Sequence, residues 1–386
     1  MRPDPCRGAA RSRSPADLCG SGTGGQKRTE GGDALRYRED WERSRQRLEA
    51  FWRGEVLGRC CFSVTVTPPV SQTVPQGEAE LLRQWTDAET IIAVNRRRME
   101  RAYYGGDAFP NINLNLGAAG HAGFFRGSIH HFSDDTVWFS PILEAPDALE
   151  FDENSFLYRK TLELARTFAE DSRGDYIVSM SDCSGNADVL SHLLGPEALL
   201  VAMVDEPEAV EAGLKKVQPV YERIHREVYE TVRENNGGGC CISWLTTWGA
   251  GLHAQLQCDM SVMISNDLFE RFVMPELRAQ TALLDHSLYH LDGIQQVRHL
   301  DSLLSLERLQ AIQWTQVVGQ PPCTEFLPEL RRIQAAGKSL LILAAPGQVR
   351  PLMENLSSRG LYLVTTAPTR EDADDLVRLV EKQTHD

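Results

Sequence analysis

No run of apolar residues in this 386-residue chain approaches the ~20 that a helix needs to cross a bilayer, so the sequence predicts a soluble protein with no membrane span. No CxxC pair occurs among the nine cysteines, Cys6, Cys19, Cys60, Cys61, Cys183, Cys240, Cys241, Cys258 and Cys323. An odd, thinly spread set of this kind excludes a disulfide scaffold and a zinc ribbon, and it fits a reducing cytoplasm. Cys60-Cys61 and Cys240-Cys241 stand in apolar, strand-like runs and read as small buried hydrophobes. Basic residues are outnumbered, 40 Lys and Arg against 54 Asp and Glu, for a net charge of −14. Such a surface repels a phosphate polymer, which argues against nucleic acid as partner. No Gly-rich phosphate turn follows an early strand. Gly237-Gly238-Gly239 comes before one and reads as a helix terminator. No repeat of 20–50 residues stands out. What is present is an ordinary globular composition, 42% hydrophobic and 24% charged, which excludes a mostly disordered chain.

The first 36 residues differ from the rest. They hold seven of the 30 glycines and seven basic against four acidic residues, a charge of +3, whereas the remainder carries 33 against 50, or −17. The segment has no apolar core of ~7–15 residues for a secretory signal, and no amphipathic helix for a transit peptide. It reads as a disordered extension, or as sequence upstream of the true start.

From Tyr37 onward helix-like and strand-like segments alternate. Strands are expected at 61–67, 112–116, 176–180, 241–245, 287–291, 310–314, 339–343 and 361–365. Helices are expected at 38–53, 77–104, 155–172, 195–203, 207–235, 266–285, 296–305, 325–336, 348–356 and 370–383. Strands alternating with helices pair in parallel through crossovers, and eight such units predict an α/β fold, a closed (β/α)8 TIM barrel over 37–384. A long connection after the second strand, with His130-His131, reads as a cover over the barrel mouth.

In such a barrel the chemistry lies just past the strands' C-terminal ends. The fifth strand ends Tyr289-His290-Leu291-Asp292-Gly293. His290 and Asp292 are two residues apart and point the same way on an extended chain, which suits a metal ion or an acid–base pair. After the fourth strand, Trp248 is a candidate apolar wall for a small-molecule substrate, and Cys258 a candidate third metal ligand. Thiolate and imidazole together would favour zinc. Asn115, Asp182 and Trp314, at the ends of the second, third and sixth strands, are the further candidate substrate-binding residues.

Three stretches carry a family resemblance: Trp41 to Arg59; Gln257-Cys258-Asp259-Met260-Ser261-Val262-Met263-Ile264-Ser265 running into Phe269 to Leu277; and Tyr289 to Gly293. Over residues 37–384 the sequence resembles the uroporphyrinogen decarboxylase superfamily, which includes zinc-dependent methyltransferases acting on corrinoid proteins. The resemblance implies a (β/α)8 barrel, zinc, and a corrinoid carried by a partner protein. In the methyltransferase branch a His and a Cys at the fifth strand hold zinc with a second Cys from a late strand. Here Asp292 stands at the first Cys position, and Thr365-Thr366 near the second. The decarboxylase branch has an Asp at the end of the second strand, where this chain has Asn113 and Asn115, and basic residues near the first, where Thr67-Pro68-Pro69 stand.

Three functions follow as alternatives. The first, taken as the working expectation, is metal-assisted methyl transfer to or from a small molecule or corrinoid, with His290, Asp292 and Cys258 on the metal. The second is a decarboxylase or other lyase without metal, with His290 and Asp292 as acid and base. The third is a non-catalytic barrel that binds a small ligand between Trp248 and Trp314.

Overall fold

The computed structural model describes residues 35–67, 75 and 77–386. The expected disorder of 1–36 therefore falls, up to residue 34, outside the described residues. Leu35 is buried and Arg36 pairs with Asp175, so these two described residues already pack with the fold.

Among the described residues thirteen strands occur in chain order. They are β1 Cys61–Val66, β2 Tyr103–Gly106, β3 Asn111–Leu114, β4 Ile129–Phe132, β5 Val137–Ser140, β6 Ile177–Ser181 and β7 Gly239–Ile242, then β8 Thr247–Ala250, β9 His253–Leu256, β10 His286–Asp292, β11 Ala311–Thr315, β12 Ser339–Leu343 and β13 Leu361–Thr366. A seven-stranded sheet runs β2-β1-β13-β12-β11-β10-β9. Within it β1, β13, β12, β11, β10 and β9 are parallel to their neighbours, and β2 is antiparallel to β1. A second parallel pair joins β3 to β6. The fold is thus mixed α/β with a largely parallel sheet, in agreement with the coarse expectation from the alternation.

Each strand divides its side chains between two faces. On β10 and β11 one face carries Tyr289, Leu291, Ile312 and Trp314, buried in the main core beneath the helices. The other face begins with Leu288 and Ala311 and ends with His290 and Asp292, Gln313 and Thr315. The apolar starts of this face (Cys61, Ile177, Leu288, Ala311, Leu341, Tyr362) form a floor with Leu48, Phe51 and Trp52 of helix Trp41–Trp52. Each large side chain buried there contributes roughly 1.5–3 kcal/mol. The polar ends of the same face stand above that floor. The sequence pattern therefore stacks a functional layer on a structural one.

Beside the floor lies a buried ionic cluster. Asp107, with no solvent exposure, accepts from Arg47 Nη1 at 3.1 Å, from Arg59 Nη1 at 2.6 Å and Nη2 at 3.0 Å, and from the Phe62 backbone N–H at 3.0 Å. It fastens helix Trp41–Trp52 to the first strand. Gly106, just before it, has φ +65° and would drive a Cβ to 2.1 Å from the Phe62 carbonyl oxygen, so only glycine fits the turn.

The elements differ from expectation at several places. The helix expected over 77–104 breaks at Asp87, whose backbone is extended and whose side chain caps Ala88–Arg101 by accepting from Thr90 N–H, and its end becomes β2. The expected cover around His130 folds as the β4–β5 hairpin, with Phe132 stacked on Trp85. A helix at Asn186–Leu194 was not expected. The helix expected over 266–285 contains one wide turn at Phe269–Val273 just ahead of Pro275, where the ring removes the N–H that a regular α-turn would use. No single helix among the described residues is long and apolar enough to cross a membrane.

Candidate strand-end site

At the C-terminal ends of β9 and β10, Asp259, His290 and Asp292 each offer a ligand atom, and the three atoms lie within 4.8 Å of one another. His290 is 12% exposed, and its Nε2 stands 3.8 Å from Asp292 Oδ1. Its Nδ1 faces Gln313 Oε1 and lies 3.1 Å from Thr315 Oγ1. The Gln313 oxygen can only accept, so it keeps the proton on Nδ1 and leaves the Nε2 lone pair directed at the two carboxylates. Burial lowers the His290 pKa, and Gln313 and Asp292 oppose that shift. The edge of Trp244 meets the His290 ring at 5.0 Å, and Trp244 Nε1 is buried without a partner.

Asp259 is held by a frame that the sequence did not reveal. Asp188, itself buried, accepts the backbone N–H groups of Asp259 at 3.0 Å, Met260 at 3.0 Å and Gly185 at 3.1 Å. Gln296 donates to the Cys258 carbonyl at 3.0 Å and accepts from Asp292 N–H at 3.1 Å. One carboxamide thus ties the β10 end to the loop bearing Asp259. Gln257 Nε2 donates to Asp259 Oδ2 at 3.2 Å, while Gln257 Oε1 is buried with no partner. Behind them Glu276 accepts from Asn186 N–H at 3.2 Å. Its burial, reinforced by Asp188, pushes its pKa well up.

Asp259 is solvent-exposed at its tip, yet it sits among walls and other acids. Burial first, then Asp188, Asp292 and Asp182, push its carboxyl up to about 8. Asp182, on the strand end beyond, accepts from Gln255 Nε2, and burial pushes it up to about 7. Its pKa is raised above the ordinary 3.8, so the ionised form opposes folding. That cost is full above the folded pKa and vanishes as pH falls to the unfolded one. We therefore expect Asp182→Asn, which retains the acceptor for Gln255, to stabilise the metal-free protein. The gain should be on the order of 2 kcal/mol near pH 8.5, after allowance for partial exposure, and only about a quarter of that near pH 4.5. Calorimetric melting at the two pH values checks it, and an equal shift at both would refute the assignment.

The other residues expected at the site are placed elsewhere. Cys258 is fully buried in the main core, and its thiol pKa is pushed well up by burial. The strand alternation that directs Gln257 and Asp259 to the His290 side turns Cys258 away. Trp248 lies in the apolar floor, edge-on to Trp41 at 5.9 Å, and donates to the Asn236 carbonyl at 3.0 Å. The cause is the β7–β8 hairpin, which folds the chain back so that Trp248 pairs with Cys241. Trp314 is on the opposite face of β11 from Gln313 and packs on Phe326 at 5.3 Å. His290, Trp248 and Trp314 therefore do not surround one space. Asn115 Oδ1 accepts from Gly117 N–H at 2.9 Å and shapes a turn. A surface cleft of about 540 Å³, between helices Phe156–Ser172 and Pro207–Val232, contains none of these residues.

A parallel α/β fold with acceptor-rich strand ends defines the class. No family model matches the chain, and no curated protein matches it. In structure it is similar to a methyltransferase from Methanosarcina mazei, with a TM-score of 0.58 over 88% of this chain and 98% of that one and 13% of residues identical. At that identity the likeness is one of fold.

Proposed function

We propose that the chain is a uroporphyrinogen decarboxylase-like (β/α)8 barrel enzyme that carries out metal-assisted methyl transfer on a small molecule, with Asp259, His290 and Asp292 holding a divalent ion. The observation that carries this is the convergence of three ligand atoms within 4.8 Å, one of them an imidazole nitrogen left unprotonated by its Gln313 contact. Orientation of a ligating histidine by its second nitrogen is what metal sites use. The donor set is one nitrogen and two oxygens, which fits a divalent cation but not the two-thiolate zinc site of the corrinoid-linked branch: Cys258 is buried elsewhere, and Thr365 and Thr366 stand on the eighth expected strand. The similar fold of a methyltransferase supports the class of reaction.

A bound divalent ion supplies Lewis acidity that lowers the pKa of an acceptor hydroxyl or thiol. The chain does the rest. Gln313 and Thr315 fix the imidazole, Asp188 and Gln296 fix the carboxylate loop, and Trp244 shields one edge of His290 from water.

One observation favours a second reading, a lyase working by proton transfer alone. Asp182 at about 7 and Asp259 at about 8 both titrate near neutrality, as a general acid must. The readings separate on metal uptake. On the first, protons compete with the ion at Asp259, so zinc affinity should rise at least about tenfold between pH 6 and pH 9. Elemental analysis of purified protein and zinc titration at both pH values test this. No uptake of zinc, cobalt or manganese at either pH would leave the lyase reading.

A further inference from the structure

We infer that the organic substrate of this site is a protonated amine, held between Asp182 and Gln257 beside the metal. The inference rests on the metal-site reading and names its substrate class. It starts from charge. The described residues at the strand ends (65–67, 113–125, 179–188, 243–246, 257–263, 289–297, 315–324, 343–349 and 366–369) include no lysine or arginine, yet they supply Asp182, Asp188, Asp259 and Asp292. Among these described residues an anionic substrate would meet carboxylates and no lysine or arginine.

The carboxylates are not equivalent. Asp188 is committed to three backbone N–H groups. Asp259 and Asp292 together match the charge of one divalent ion. Asp182 remains, with Gln255 as its one hydrogen-bond partner and close enough to Asp259 to act on it. A single negative charge is therefore left for the substrate.

The second observation is independent of charge. Gln257 is 3% exposed and reaches into the cluster, since its Nε2 bonds Asp259, yet its Oε1 has no donor. A buried acceptor left unpaired costs ~1–3 kcal/mol, a cost that a ligand N–H removes. The unpaired Gln257 oxygen and the Asp182 carboxylate match an ammonium group carrying both N–H donors and positive charge.

The test is calorimetric titration of the full chain, metal-free and zinc-loaded, with n-butylammonium, n-butanol and butyrate. We expect n-butylammonium to bind at least tenfold more tightly than the neutral or the anionic probe. Asp182→Asn should lose at least tenfold of that affinity and still take up zinc. Gln257→Leu should lose several-fold, and it carries the test if Asp182→Asn does not fold. Equal binding of the three probes, preference for butyrate, no binding of any, or undiminished n-butylammonium binding by Asp182→Asn would each overturn the inference. Zinc uptake without ammonium preference sinks this inference alone. Asp182-dependent ammonium binding without zinc uptake upholds it and sinks the metal reading.

Discussion

His290→Ala should abolish metal uptake and lower turnover by ~10²–10⁴-fold, the range for losing a positioned charge- or proton-handling group, while the fold survives. The side chain stands at the polar end of β10, above the floor made by Leu288 and its neighbours. Its removal therefore deletes a ligand without opening the main core. Cys258→Ser is the matching comparison. Its sulfur faces the core, so the variant should keep its metal and lose stability instead. Elemental analysis with far-ultraviolet circular dichroism on both variants decides the matter. Metal retained by His290→Ala, or lost by Cys258→Ser in a folded protein, would contradict the ligand set.

The largest loss of stability should come from Asp107→Ala, at roughly 3–5 kcal/mol. The substitution leaves Arg47 and Arg59, 6% and 3% exposed, without the carboxylate that both bind. Guanidinium groups do not shed their charge on burial, so they would have to draw in water or move. The Phe62 N–H would lose its acceptor as well. A lowered urea midpoint with binding at the strand ends still measurable is the expected outcome. A shift within about 0.5 kcal/mol, the usual range for an ordinary surface substitution, would show that the cluster is not structural.

Much of the fold was legible because it follows from periodicity. β10 and β12 and the helices Trp41–Trp52, Phe156–Ser172 and Arg370–Gln383 lie within a few residues of where alternation and apolar spacing put them. His290 and Asp292 were legible for the same reason, being two apart on one strand. The tryptophans were not. Thr246 makes the β7–β8 turn with φ +55°, and no glycine marks it, so nothing in the residue pattern shows that the chain doubles back before Trp248. The site side chains follow a parity rule. Counting by two along β9 from His253 gives Gln255, Gln257 and Asp259, all on the His290 side, and leaves Cys258 out. Gln296 and Asp188 carried no signal, because their work is on backbone groups of distant segments.

The Gln296 clasp has a consequence for how the site fails. The amide N–H of Asp292 and the carbonyl of Cys258 share one side chain, and the next two amides are fastened to Asp188. An opening event that frees either segment breaks the bonds holding the other. The protons on the amide nitrogens of Asp259, Met260 and Asp292 then belong to one cooperative exchange unit. The donor atoms assemble and disperse together, and a half-built site with two of its three ligands in place is not a state this frame favours.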